Sequence, residues 1–107
     1  MIRLKPGVSL AGIREVMRPV LIAAEKIWRD QSYGDPIVTS ACEGEHSGAS
    51  WHYYGKALDF RWPTLDKARQ GVLASLLREK IGPKYDVVPE GSHLHVEYDP
   101  KPKGEQA

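Results

Sequence analysis

Four histidines, His46, His52, His93 and His95, fall within two short stretches of a 107-residue chain, and none lies elsewhere. Asp59 stands seven residues after His52, with Gly55 and Ala57 between them, so a turn at the glycine can bring both side chains to one place. His93 and His95 are two apart in an alternating stretch, and on a strand residues i and i+2 project from the same face. Two or three imidazoles with one carboxylate suit a borderline cation such as zinc, and a fourth position left to water makes such a site catalytic. Water held there becomes a nucleophile near neutral pH.

The elements that must position these residues are legible as patterns. Residues Arg18 to Gln31 space Val20, Ala23, Ala24, Ile27 and Trp28 at helical intervals, with Pro19 in the first turn, where its missing N–H costs nothing. Ser9 to Ile13 reads either as an extra turn leading in or as the start of a continuous kinked helix. Ile37 to Ser40 is a short β-branched strand, and Cys42 to Ser50 a polar surface loop. Lys56 to Trp62 alternates, with Ala57, Asp59 and Arg61 on one face and Leu58, Phe60 and Trp62 on the other. Thr64 is the expected cap of a second helix over Leu65 to Ile81, with Leu65, Ala68, Val72, Leu76 and Leu77 as its apolar stripe. Tyr85 to Val88 and His93 to Tyr98 read as strands joined by the turn Pro89-Glu90-Gly91-Ser92. This order predicts a small α+β fold, an antiparallel sheet with two main helices, as one domain over residues 1–100 followed by a flexible tail over 101–107.

Composition narrows the function classes. Fifteen Lys and Arg against 14 Asp and Glu leave a formal charge of +1, without the basic footprint that nucleic-acid binding depends on. The single cysteine, Cys42, allows no intrachain disulfide and no thiolate pair. No apolar run reaches signal-peptide or membrane-span length, so the expectation is a protein made in the cytoplasm, without membrane insertion. With both helical stripes buried, no apolar face is left over, which favours a monomer.

Ser50-Trp51-His52-Tyr53-Tyr54-Gly55-Lys56-Ala57-Leu58-Asp59-Phe60 resembles the S-x-H-x-x-G-x-A-x-D-[FIL] segment of the zinc D-alanyl-D-alanine peptidases. His93-Leu94-His95-Val96-Glu97-Tyr98 resembles their closing H-x-H or W-H-x-E-Y segment. That family includes D-Ala-D-Ala carboxypeptidases and dipeptidases and phage L-alanyl-D-glutamate endolysins, and shares its core with the hedgehog signalling domain. The resemblance spans Val38 to Pro100. It implies a hedgehog-like core, Zn2+ as cofactor, and His52, Asp59 and His95 as the metal ligands. A competing register makes His93 the ligand, with Glu90 as the base of an E-x-x-H motif. In the first register His93 stands beside the metal to orient water or stabilise the oxyanion, and Glu90 takes the water's proton. Ser50 is assigned to steadying the loop or contacting substrate, His46 to donating a hydrogen bond to substrate or to an ordinary loop surface. Tyr54, with Trp51 and Tyr53, either lines a substrate groove or braces the loop.

Many members of the family carry an arginine after the Thr-Ser strand, suited to a terminal carboxylate. Here Thr39-Ser40-Ala41-Cys42-Glu43 has none. The expected activity is therefore that of a zinc metallopeptidase cutting within the peptidoglycan stem peptide, between L-alanine and D-glutamate in preference to removing a terminal D-alanine. The expected setting is cell wall degradation by a phage or prophage endolysin, released to the periplasm or wall, or a peptidase carried in the virion. The alternative is a non-catalytic zinc-binding module with a hedgehog-like partner-binding role.

Overall fold

A computed structural model of the chain describes residues 1–41 and 55–100. Its strands are β1 (Arg3–Leu4), β2 (Ile37–Ser40), β3 (Ala57–Arg61), β4 (Tyr85–Pro89) and β5 (His93–Tyr98), and its helices α1 (Arg18–Asp30) and α2 (Lys67–Ile81). A 3-10 turn, Glu15–Met17, leads into α1. The fold is the expected small α+β domain, with one five-stranded sheet in the order β1-β2-β3-β5-β4.

The sheet is mixed, where the sequence pattern suggested antiparallel pairing throughout. β1 is too short to leave an alternating signature, and α1 lies between it and β2, so the chain crosses over and returns in the same direction, which makes β1 and β2 parallel. Arg3 N–H donates to the Pro36 carbonyl at 2.8 Å and Lys5 N–H to that of Val38 at 2.9 Å, while the Arg3 side chain pairs with Asp35. The remaining neighbours, β2–β3, β3–β5 and β4–β5, are antiparallel.

α1 buries the stripe its spacing predicts, Val20, Ala23, Ala24, Ile27 and Trp28, with Pro19 in its first turn. No continuous helix runs from Ser9: Ile13 N–H bonds to the Leu10 carbonyl in a separate turn. The indole of Trp28 packs on Phe60 of β3, with ring centroids 5.7 Å apart. α2 begins at Lys67 instead of Leu65, leaves Ala68 of its expected stripe exposed, and differs from expectation in its cap and its buried row. Its cap is Asp66, whose side chain accepts from Arg69 N–H at 2.9 Å, and not Thr64. Its buried residues are Leu73, Ala74 and Leu77, whereas Val72 is 56% exposed. The doublets Val72-Leu73 and Leu76-Leu77 write two adjacent apolar rows onto this helix, each at i, i+4 spacing, and only docking on β4 and α1 selects between them.

Both helices serve one face of the sheet. Leu58, Phe60, Leu94, Val96 and Val87 are buried in the common core, and the alternation of the strands sends their neighbours to the opposite face. That opposite face carries Asp59, His93, His95 and Glu97.

Candidate metal and catalytic site

Register decides which side chains meet there. Asp59 lies directly opposite His95, Arg61 opposite His93 and Ala57 opposite Glu97 in the β3–β5 ladder, while Val88 and Asp86 of β4 lie beyond His95 and Glu97. Asp59, His93, His95 and Glu97 therefore share one face, brought together by strand pairing and not by a loop.

The β2–β3 pairing is irregular at the same point: Val38 opposes Phe60 but Ser40 opposes Asp59, so two steps on β2 span one on β3. The Thr39 hydroxyl reaches the Asp59 carbonyl at 3.4 Å within this bulge. An extra residue of this kind bends the strand and re-aims its side chains, and bulges are common beside functional sites.

His95 is held at both ring nitrogens. Nδ1 donates to Asp59 Oδ1 at 2.8 Å and Nε2 to Glu97 Oε1 at 2.7 Å. The side chains of Asp59, His95 and Glu97 are only 15%, 18% and 20% exposed, so these contacts act in a medium of reduced dielectric. The imidazole pKa is accordingly raised from 6.5 to about 9, chiefly by the hydrogen bond to Asp59, with burial opposing and Glu97 adding to the rise. Without a metal, His95 is a cation between two carboxylates at neutral pH.

His93 is placed alongside. Its Nε2 lies 3.6 Å from Asp59 Oδ2, and its Nδ1 shares a 2.9 Å hydrogen bond with Ser92 Oγ. Asp59 thus faces one imidazole with each oxygen. Glu90 sits exposed in the β4–β5 turn, where its N–H bonds to the His93 carbonyl and its own carbonyl accepts from the Trp62 indole, each tying the turn down near His93. A depression lined in part by Asp66, Lys67 and Gln70 of the α2 start opens next to Glu90. Another, between α1 and α2, lies on the helical side and contains no imidazole.

Of the residues expected to form the site, Asp59, His93, His95 and Glu90 are described, and the first three are gathered on one face. His52, the expected third ligand, lies outside the described residues. So do His46, Ser50 and Tyr54, together with Cys42, Glu43, Trp51 and Tyr53. Among the described residues, the group of three acidic or imidazole side chains whose ligand atoms all lie within 4.8 Å of one another is Asp86, Glu97 and Asp99. Asp59, His93 and His95 do not by themselves close into such a group, and a metal at Asp59 and His95 requires a further ligand from elsewhere.

The donor set fits zinc. Ligand bonds of about 2.0–2.2 Å at tetrahedral angles separate two ligand atoms by about 3.4 Å. The 2.8 Å contact between His95 Nδ1 and Asp59 Oδ1 has then to widen by only about 0.6 Å to admit the ion between them. Glu97 stands where a metal-ligating histidine commonly finds a carboxylate, on the ring nitrogen turned away from Asp59. Sequence reasoning gave Glu97 no role, although its i+2 spacing from His95 in an alternating strand already placed both on one face.

No protein-family model matches the chain, and no curated protein matches it. No helix among the described residues is long and apolar enough to cross a membrane.

Proposed function

We propose that the chain is a zinc-dependent peptidase that hydrolyses a bond in the peptidoglycan stem peptide, with the zinc D-alanyl-D-alanine peptidases and L-alanyl-D-glutamate endolysins as its family. The observation that supports this reading is the meeting of Asp59 and His95 across the β3–β5 ladder, with His93 against the second oxygen of Asp59. The two motifs that resemble the family supply one side each of that contact.

Asp59 and His95 hold the cation, with His52 as the third ligand. When bound, zinc supplies a water of lowered pKa and a positive charge facing the scissile carbonyl. His93, turned toward the site and tied to Ser92, donates to the oxygen that gains charge as the carbonyl becomes tetrahedral. Glu90, on the turn beside His93, removes the proton from the attacking water and returns it to the leaving amine. The sheet keeps Asp59, His93 and His95 on strands, so these three need little reorganisation during the reaction.

Glu43, where an arginine would grip a terminal carboxylate, favours cutting within the stem peptide, between L-alanine and D-glutamate. A glutamate repels a free carboxylate, and more strongly as water is excluded. The setting that fits is a phage or prophage endolysin. The test is incubation of the zinc-loaded protein with wall sacculi and with two synthetic muropeptides, one ending in free D-Ala-D-Ala and one amidated at that end. Equal cleavage of both, with new N-terminal D-glutamate identified by mass spectrometry, supports the endopeptidase. Release of D-alanine from the free acid alone overturns it, and zinc binding without cleavage of any substrate favours a non-catalytic zinc module.

A further inference from the structure

Resting on the zinc reading of the site, we infer that Glu97 is a positioning residue for the metal: its carboxylate, bound to His95 Nε2, holds the imidazole in the one orientation and tautomer that present Nδ1 to Asp59. His95 and Glu97 are alternate residues of β5, on the same face, and the Glu97 side chain folds back along the strand to reach the ring at 2.7 Å. Its neighbour across the ladder is Ala57, fully buried and small, so a larger residue there would compete with Glu97 for the space beside the ring.

The physical argument turns on what an imidazole can offer. A neutral ring has one N–H and one lone pair, and the group that accepts the N–H decides which nitrogen is left to bind a cation. With Nε2–H committed to Glu97, the nitrogen left to exchange its hydrogen for a cation is Nδ1, which faces Asp59. Were Glu97 absent, a neutral ring could keep its one proton on Nδ1, donated to Asp59 as it is in the metal-free site, and leave its lone pair on the nitrogen turned away from the site. A carboxylate behind a ligating histidine raises the electron density of the ring and so strengthens its bond to a cation.

The experiment measures zinc affinity, by competition with a chromogenic chelator, and the visible spectrum of the cobalt-substituted protein, for the full chain and for Glu97→Gln, Glu97→Ala and Asp86→Asn. The wild-type chain is expected to bind about one zinc. Glu97→Ala should weaken binding 10- to 100-fold. Glu97→Gln, which keeps an oxygen for the Nε2–H but not the charge, should lose less than Glu97→Ala and alter the cobalt bands. Asp86→Asn removes a like charge from the neighbouring strand and leaves the Glu97–His95 hydrogen bond in place, and should change affinity less than about twofold. Unchanged affinity in both Glu97 variants overturns the inference and leaves the zinc site standing. Equal losses in Glu97→Gln and Asp86→Asn overturn it too, because the effect would then come from the general field. If the wild-type chain binds no zinc, the zinc reading itself fails. Should Glu97→Ala not fold, the comparison of Glu97→Gln with Asp86→Asn decides alone.

Discussion

Asp59 and His95 are 36 residues apart in the chain and directly opposed in the β3–β5 ladder, and their side chains close to 2.8 Å. A slip of one residue in that pairing would send Asp59 into the core, against α1 and α2, and expose Phe60 on the site face. The buried Leu58, Phe60, Leu94 and Val96 make that slip costly, so the hydrophobic core holds the site's geometry as well as the fold.

His95 should contribute stability to the metal-free protein at and below about pH 6.5, and that contribution should fall as the pH rises. His95 titrates near 9 in the folded state against 6.5 when free, so folding favours its protonated form. That contribution is complete below about 6.5 and declines as the pH passes through about 9. Melts of chelator-treated protein between pH 6 and 10 should show the decline, and His95→Gln should remove most of it. An identical pH dependence in His95→Gln would assign the effect to other groups. Zinc must displace the same proton, so its apparent affinity should rise over the same interval.

Ligand assignment is checked by metal content. His52→Ala, Asp59→Ala and His95→Ala should each lose zinc, whereas His93→Ala should keep most of it and lose activity. Retained metal in His95→Ala with loss in His93→Ala would install the other register, which the 3.6 Å approach of His93 to Asp59 makes a definite alternative.

Glu90→Gln should leave zinc content and melting temperature near those of the wild type and lower turnover by about 10²-fold or more, the scale of a lost general base. Glu90 is exposed and in a turn, so a large stability change is not expected. Wild-type turnover in this variant would transfer the role to His93.

The packing of α2 is tested by two truncations. Leu77→Ala empties a fully buried position and should cost about 2–5 kcal/mol. Val72→Ala, at a position 56% exposed, should change stability by no more than about 0.5 kcal/mol. Chemical denaturation of the pair reads the difference, and a reversed order would mean that the helix docks through its other apolar row.

Gly55 lies three residues after His52 and has a φ of +75°, and a Cβ there would collide with the carbonyl oxygen of Gly12. Its own carbonyl accepts from Arg14 N–H at 2.9 Å, which ties the N-terminal segment to the start of the β3 approach. Gly55→Ala should therefore cost more than the roughly 1–2 kcal/mol of a left-handed residue alone. Gly7, with a φ of +90° and nothing near its absent Cβ, supplies the comparison. Denaturation of both alanine variants should find Gly55→Ala the less stable, and equal losses would show that the collision relaxes away.

Local pattern alone was enough for the α1 stripe, the bounds of β2 and β5, and the shared face of His93 and His95, because periods of 3.6 and 2 follow from backbone geometry wherever an element forms. The two motifs also named Asp59 and His95 as partners before any register was known. Tertiary structure decided the rest. Only β3–β5 pairing shows that Asp59 opposes His95, since register depends on contacts between residues dozens of positions apart. Leu77 lies in the expected stripe, but only docking picks Leu73 over Val72, since two neighbouring rows of α2 are apolar. β1 is two residues long and gains its partners from β2, so nothing in Arg3-Leu4 announces it. Glu97 carried the signal of parity with His95, but spacing cannot tell a solvated glutamate from one that closes on a ring nitrogen at 2.7 Å. That distinction comes from burial and from the neighbours that pairing assembles around it.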